Sequence, residues 1–158
     1  MPRSQDLSLP ELPALHPTWL AVVRAYNLCD QVLTRRLARL GLKTHEHEVL
    51  VNLLLYPGST QQQLGAHLYV AKSVVSSLVS KLEARGLLER SADERDARVW
   101  RLRLTRDGDK LARRALAVQI EVVTAMGEGS SAADNARLVA ALDRVSAILL
   151  AMQDETPR

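Results

Sequence analysis

Residues 91–100, SADERDARVW, crowd Asp93, Glu94, Arg95, Asp96 and Arg98 into six positions. An arginine-bearing tip on a two-stranded hairpin can enter the minor groove of DNA, where narrow A·T-rich segments concentrate negative potential. Acidic neighbours suit that task if their carboxylates hold a guanidinium in a fixed fork before DNA arrives. On this reading Arg95 is the groove-inserted residue, and Asp93, Asp96 and Arg98 are its bracing. The plain alternative is a solvated charged turn whose surface pairs contribute little.

The segment just before it argues against a passive turn. At 100° per residue, positions 71–85 put Ala71, Val75, Leu78 and Leu82 on one side of a helix, the predicted core face. Ser73, Ser76, Ser77 and Ser80 fall opposite, flanked by Lys72 and Lys81. A face that has only to be soluble favours Glu, Lys and Arg, which are better helix formers than serine. Short hydroxyl side chains instead let a backbone approach DNA and bond to base edges and phosphates. Lys72, Ser73, Ser76, Ser77, Ser80, Lys81, Arg95 and Arg98 are therefore the expected DNA-binding set, with double-stranded DNA as partner.

Charge is distributed accordingly. The chain has 158 residues and a net charge of only +3. Nine basic and five acidic residues lie between Lys72 and Arg106, so that window carries +4 and the remainder −1. Such a length with 47% apolar residues fits one ordinary domain with a real core. The lone Cys29 excludes a disulfide within the chain, and the N-terminus MPRSQDLSLPELPALHP has no signal-peptide apolar core. Apolar runs are too short to span a bilayer, so the expectation is a cytoplasmic protein with no membrane partner.

The elements that must position these residues follow from periodicity. Val22, Tyr26, Cys29, Leu33, Leu37 and Leu40 trace one face of a helix from Pro17 to Leu40, ended by Gly41. A second helix, about Thr44 to Tyr56, is apolar on nearly every side and so predicted to be buried. Ser59 and Gln62 have the spacing of a capping box for a short third helix, and the serine-faced helix ends at Gly86. Strands at 87–91 and 98–104 form a hairpin, with Trp100, Leu102 and Leu104 on the packed side and Arg101 and Arg103 on the other. A helix from Thr105 carries Leu111, Ala115, Val118, Val122 and Met126. After GEGSS, a last helix to about Gln153 repeats Leu138, Leu142, Val145, Leu149 and Met152 at steps of four and three. Such a stripe packs along another helix, and its terminal position favours a homodimer over an intramolecular contact.

The fold class predicted is mainly α with a small β-hairpin wing: a winged helix-turn-helix with long N- and C-terminal dimerisation helices. Residues 1–16 read as an N-terminal extension and 17–158 as a single domain. Within it, 17–40 and 106–153 are the dimerisation helices and 44–104 the DNA-binding lobe.

The chain resembles the MarR family of bacterial transcription regulators. The residues that carry the resemblance are LGLKTHEHEVL at 40–50, VVSSLVSKLEARGLLER at 74–90, D-x-R-D-x-R at 93–98 and LTRDG at 104–108. It implies a triangular homodimer that binds a palindromic operator, acts more commonly as a repressor, and responds to a small ligand. Ser77 and Ser80 stand where the family commonly has Arg and Asp, so no operator sequence is read from the helix. An effector pocket between the dimerisation helices and the DNA-binding lobe is also implied. His47 stands where a buried aromatic residue is usual, and with Arg24 or His16 it would suit an anionic aromatic ligand. The plainer reading of His47 is a hydrogen-bonded interior histidine.

Other functions find less support. Cys29 lies on an apolar stripe, where a thiol packs and is usually inert, although some relatives sense peroxides through a first-helix cysteine. Zinc sensing through Cys29 with His45 or His47 lacks a convergent ligand face, so no metal and no cofactor are expected. A redox- or metal-responsive regulator of the same fold stays as an alternative, as does a helical protein-interaction module that does not bind DNA. No nucleophile elbow or phosphate-cradling glycine loop is present, so catalysis is not expected.

Overall fold

The computed structural model describes residues 13–154 except 94 and 97. Most of the expected N-terminal extension, Glu94 of the charged stretch and the last four residues thus lie outside the described residues. The elements are α1 (His16–Leu37), a 3-10 turn (Ala38–Leu40), α2 (Thr44–Leu55), α3 (Gln61–Leu68), α4 (Lys72–Ala84), β1 (Leu88–Ala92), β2 (Trp100–Leu104), α5 (Arg106–Met126) and α6 (Ala132–Asp154). They form two compact units, one through Gln119 and one from Ile120. The first is a winged helix-turn-helix, with α3 and α4 as the helix pair and the β1–β2 hairpin as the wing. None of the described helices is long and apolar enough to cross a membrane.

The core of the first unit gathers Leu37, Leu42, Val49, Leu50, Leu53, Leu64, Val75, Val79, Leu82, Leu88 and Leu102. Helix α2 supplies three of these from adjoining positions, as its all-round apolarity predicts. Only the C-terminal half of the α1 stripe reaches this core. Leu33 and Leu40 pack against it and Leu37 is fully buried, whereas Val22 and Tyr26 are exposed. Gly41 closes the 3-10 turn at φ 66, a left-handed conformation that glycine adopts without a Cβ clash.

Several expected boundaries move, each for a local reason. The capping box belongs to Thr60 and Gln63, not Ser59 and Gln62. Thr60 Oγ1 accepts from the Gln63 N–H at 3.2 Å, and Gln63 Oε1 accepts from the Thr60 N–H at 2.9 Å. Ser59 is occupied elsewhere: its C=O accepts from the Leu102 N–H and its hydroxyl donates to Tyr56 O. The core face of α4 is Val75, Val79 and Leu82, with Leu78 half-buried and Ala71 exposed at the N-cap. The hairpin pairs Leu88 with Leu104 through Ala92 with Trp100, so the strands are 88–92 and 100–104. Trp100, expected to pack, is 54% exposed, because its register partner at the outer end of the wing is the small Ala92.

In the second unit, Ser131 opens α6. Its hydroxyl and its N–H donate to the Asp134 carboxylate, and its oxygen accepts from the Asp134 N–H. Leu138, Leu142, Val145, Leu149 and Met152 are 39–60% exposed along that helix.

One glycine is demanded by proximity. Thr105 Oγ1 donates to Gly86 O at 2.7 Å and accepts the Gly108 N–H, which presses the first turn of α5 onto the turn before β1. A Cβ at Gly108 would lie 1.7 Å from Leu87 O. Since the obstacle is backbone, Gly108→Ala is expected to destabilise the protein by about 1–3 kcal/mol or more. The check is a lower urea midpoint at an unchanged slope; an unchanged midpoint would show that the contact relaxes freely.

Candidate nucleic-acid interface

Helix α4 presents its serines outward. Ser73, Ser76, Ser77 and Ser80 are all exposed, as is Lys72 at the first helical position. Among the described residues, the side chains of Lys72, Ser73, Ser76 and Ser77 have no hydrogen-bond or ionic partner. Ser80 Oγ accepts from Arg90 NH2 at 3.0 Å, and Arg90 Nε lies 3.1 Å from Glu83 Oε2. Arg90 belongs to β1, so it fastens the wing beside the serine face.

Lys81 has an internal partner. Its Nζ lies 2.5 Å from Glu46 Oε1, while Arg85 NH1 donates to Glu46 Oε2 at 2.9 Å and the Lys43 N–H donates to the same oxygen at 3.1 Å. Arg85 NH2 also donates to Gly41 O at 2.9 Å. Glu46 is only 2% exposed. Burial by itself would raise its carboxyl pKa, but the Lys81 hydrogen bond, the Lys43 N–H and the two cationic charges outweigh it and hold the group below its ordinary value. Sequence reasoning missed Glu46; the available signal was an acid at the third position of a helix, where its carboxylate can accept the N–H of the residue before the helix.

The wing is braced, but not as expected. Asp93 Oδ1 accepts the backbone N–H of Arg95 at 2.9 Å and of Asp96 at 3.2 Å, and Asp96 Oδ1 accepts the Arg98 N–H at 2.9 Å. Asp93 Oδ2 takes Arg101 Nε at 2.6 Å, and Arg101 NH1 reaches Gly58 O at 3.3 Å. The carboxylates therefore shape the backbone of the tip and clamp Arg101, not the guanidinium of Arg95 or Arg98. Those N–H bonds, first among them that of Arg95, together with Arg101 keep the Asp93 carboxyl below its usual range. Arg95, Arg101 and Arg103 line an open cleft of about 640 Å³ with Pro57, Gly58 and Asp93. Arg101 was expected only as part of a cationic strand face; its role as clamp depends on the turn geometry around Asp93.

His47 is an interior histidine, 3% exposed, whose Nε2 donates to Gln119 Oε1 at 3.1 Å while its buried Nδ1 has no partner among the described residues. Burial lowers its pKa, only partly opposed by the Gln119 hydrogen bond and the Glu48 charge. The ring borders a cavity of about 210 Å³ lined also by Leu33, Val51, Asn52, Leu55 and Leu68. Neither His16 nor Arg24 lines it: His16 stacks on Trp19 at 5.7 Å, and Arg24 is exposed on α1. Cys29 is half-buried, and no three His, Cys, Asp or Glu residues among those described gather to hold a metal.

Residues 40–99 match the model of the MarR family. Relatives include uncharacterised HTH-type transcriptional regulators of Bacillus cereus and Bacillus anthracis. Each is 29% identical over 105 residues, which is 65% of this chain and 67% of the relative. Among solved structures, the S. aureus MepR–DNA complex is similar at a TM-score of 0.74 and 22% identity, over 87% of this chain and 98% of MepR. The organohalide-sensing regulator RdhR in its 2,4-dichlorophenol-bound form gives 0.78 at 21% identity, over 99% and 98%. PcaV of Streptomyces coelicolor, in complex with its natural ligand, gives 0.70 at 26%, over 87% and 97%.

The depressed His47 pKa has a defined stability signature. The unfolded chain takes up a proton near the ordinary value of 6.5, and the folded chain only at lower pH. Stability from the neutral ring is thus complete above about pH 6.5 and is lost as pH falls toward the folded value. Between about pH 7.5 and 5.5, the Tm of the parent is expected to fall more steeply than that of His47→Phe. Parallel thermal-denaturation profiles would remove this role.

Proposed function

We propose that this chain is a MarR-family transcription regulator that acts as a homodimeric repressor on a palindromic operator and is modulated by a small ligand. The observation that carries this reading is the pairing of an outward, unpartnered serine and lysine face on α4 with a wing whose arginine tip is shaped by carboxylates. Helix α4 enters the major groove through Lys72, Ser73, Ser76 and Ser77, and Arg95 enters the adjoining minor groove with Arg98 beside it. Ser80 and Lys81 act from behind, through Arg90 and Glu46. The DNA complex of MepR supports the same use of this fold.

The dimer is built from residues 17–40 and 106–153, with 44–104 as the DNA-binding lobe. The exposed heptad stripe Leu138, Leu142, Val145, Leu149 and Met152 supports this, as do the exposed Trp19, Val22 and Tyr26 of α1. A second copy gives two α4 helices, which fit successive major grooves if they lie roughly 34 Å apart.

The ligand reading changes from the anionic one. A neutral His47 with an unpaired buried Nδ1, set among Leu33, Val51, Leu55 and Leu68, suits a small apolar ring bearing a hydrogen-bond donor. With Glu48 among the lining residues and neither His16 nor Arg24 there, none of the described residues that line the cavity is a lysine or arginine for a carboxylate. RdhR binds 2,4-dichlorophenol, a ring with one hydroxyl, which is in keeping with that chemistry.

Recovery of bound fragments from the protein's own genome identifies the operator, and a salt titration separates DNA binding from a helical protein-interaction module. Affinity is expected to fall steeply as salt rises; a flat response overturns the reading. Arg95→Ala is expected to weaken operator binding by about 1–3 kcal/mol while light scattering still reports a dimer. Leu149→Glu is expected to shift the mass toward the monomer, and an unchanged dimer would rule out the α6 stripe as its interface.

A further inference from the structure

The turn between α3 and α4 contains a residue whose side chain its packing does not explain. Tyr69 lies in the left-handed region at φ 53, ψ 37, the one non-glycine with positive φ among the described residues. Gly41, Gly58, Gly86 and Gly129 occupy the other such positions. Glycine takes this conformation without a Cβ clash, and tyrosine does not. Strain of this kind persists where the surroundings compensate it. Here the backbone bonds of the α3 cap compensate it, since the Tyr69 and Val70 N–H groups both reach Gly65 O. Nothing holds the side chain, however, which is 76% exposed, more than any other large apolar or aromatic side chain described, and has no partner among the described residues.

What remains is a role directed outward. Tyr69 is followed by Val70 and Ala71, then by Lys72, the first residue of α4. In helix-turn-helix docking the first helix crosses the DNA backbone and the start of the second reaches the base edges. The turn joining them lies beside the phosphates that border the major groove. A phenol is a neutral donor that serves such contacts without adding charge. We propose that Tyr69 donates its hydroxyl to a DNA phosphate flanking the groove entered by α4, a contact that is independent of sequence. This rests on the DNA-binding mode proposed above.

The test measures binding of a fluorescently labelled mixed-sequence duplex of about four helical turns by anisotropy, across a range of salt. The full-length parent is compared with Tyr69→Phe, Tyr69→Gly and Lys72→Ala. Tyr69→Phe is expected to bind about 3- to 10-fold more weakly with the salt dependence unchanged, since no charge is removed, and Tyr69→Gly at least as weakly. Lys72→Ala is expected to reduce the salt slope by about one. Relief of the left-handed strain and the added freedom of the unfolded chain oppose each other in Tyr69→Gly, so its Tm is expected within about 3 °C of the parent. Parent-like affinity in Tyr69→Phe overturns the proposal, and if only the glycine variant weakens, the ring and not the hydroxyl makes the contact. A collapse of Tm in the glycine variant, with Tyr69→Phe parent-like, assigns the ring a structural role and also overturns it. A parent that shows no salt-dependent binding defeats the DNA-binding mode itself, an outcome distinct from these.

Discussion

The buried carboxylate of Glu46 fixes the phase of α4. A charge removed from water is tolerated only when it is paired and hydrogen-bonded, and removing one partner leaves the rest uncompensated at a cost of several kcal/mol, roughly 3–5. Glu46 meets that condition through Lys81, through Arg85 at the C-cap of α4 one helical turn later, and through the Lys43 N–H. Two anchors on one turn determine the rotation of α4 about its own axis. The same rotation turns Val75, Val79 and Leu82 inward to the core and leaves Ser73, Ser76 and Ser77 outward, so the ion pairs and the apolar face agree. A second nitrogen of Arg85 on Gly41 O ties the same point to the chain leaving α1. An isosteric apolar triad would fill the space, but it would not select one rotation so sharply.

The wing applies the same logic at the surface, where pairs are individually weak and geometry matters more than energy. The two oxygens of Asp93 divide their work, one holding the backbone of residues 95 and 96 and the other holding Arg101. The acid is thereby spent on Arg101. The side chain of Arg95 has no partner among the described residues. This resolves why so much charge of both signs is gathered there: the acids organise the turn, and opposing them to a different arginine preserves the field that DNA would meet.

Much of this was legible in the sequence because it depends on period and punctuation. The order of elements, the left-handed glycines at 41 and 86, the serine face and the α6 stripe follow from spacings of three, four and two. What was not legible depends on partners distant along the chain. Ser59 lost the capping role because its carbonyl bonds to Leu102, more than forty positions later. Trp100 looked like a packed strand residue, yet its exposure is set by Ala92 across the hairpin. His16, Arg24 and His47 were grouped by charge, a property that says nothing about which helix face meets which cavity. Glu46 was hidden by its neighbours: within THEHE it reads as one more polar residue at a helix start, and only Lys81 and Arg85, brought back by the fold, give it a task.

The adjacency of Glu46 and His47 also limits how any occupant of the His47 cavity can act on α4. A ligand shifts an equilibrium only by its difference in affinity between two states. One that only fills space against Leu33 and Leu55 makes no polar contact with α2. One that donates to the free Nδ1 of His47 acts on the first turn of α2, where the preceding residue is the carboxylate paired with Lys81 and Arg85. Parting Glu46 from Lys81 and Arg85 would strand a buried charge, so a shift of that turn would carry α4 with it. A ligand's leverage on α4 would therefore come from its hydrogen bond to His47, not from the filling of apolar space.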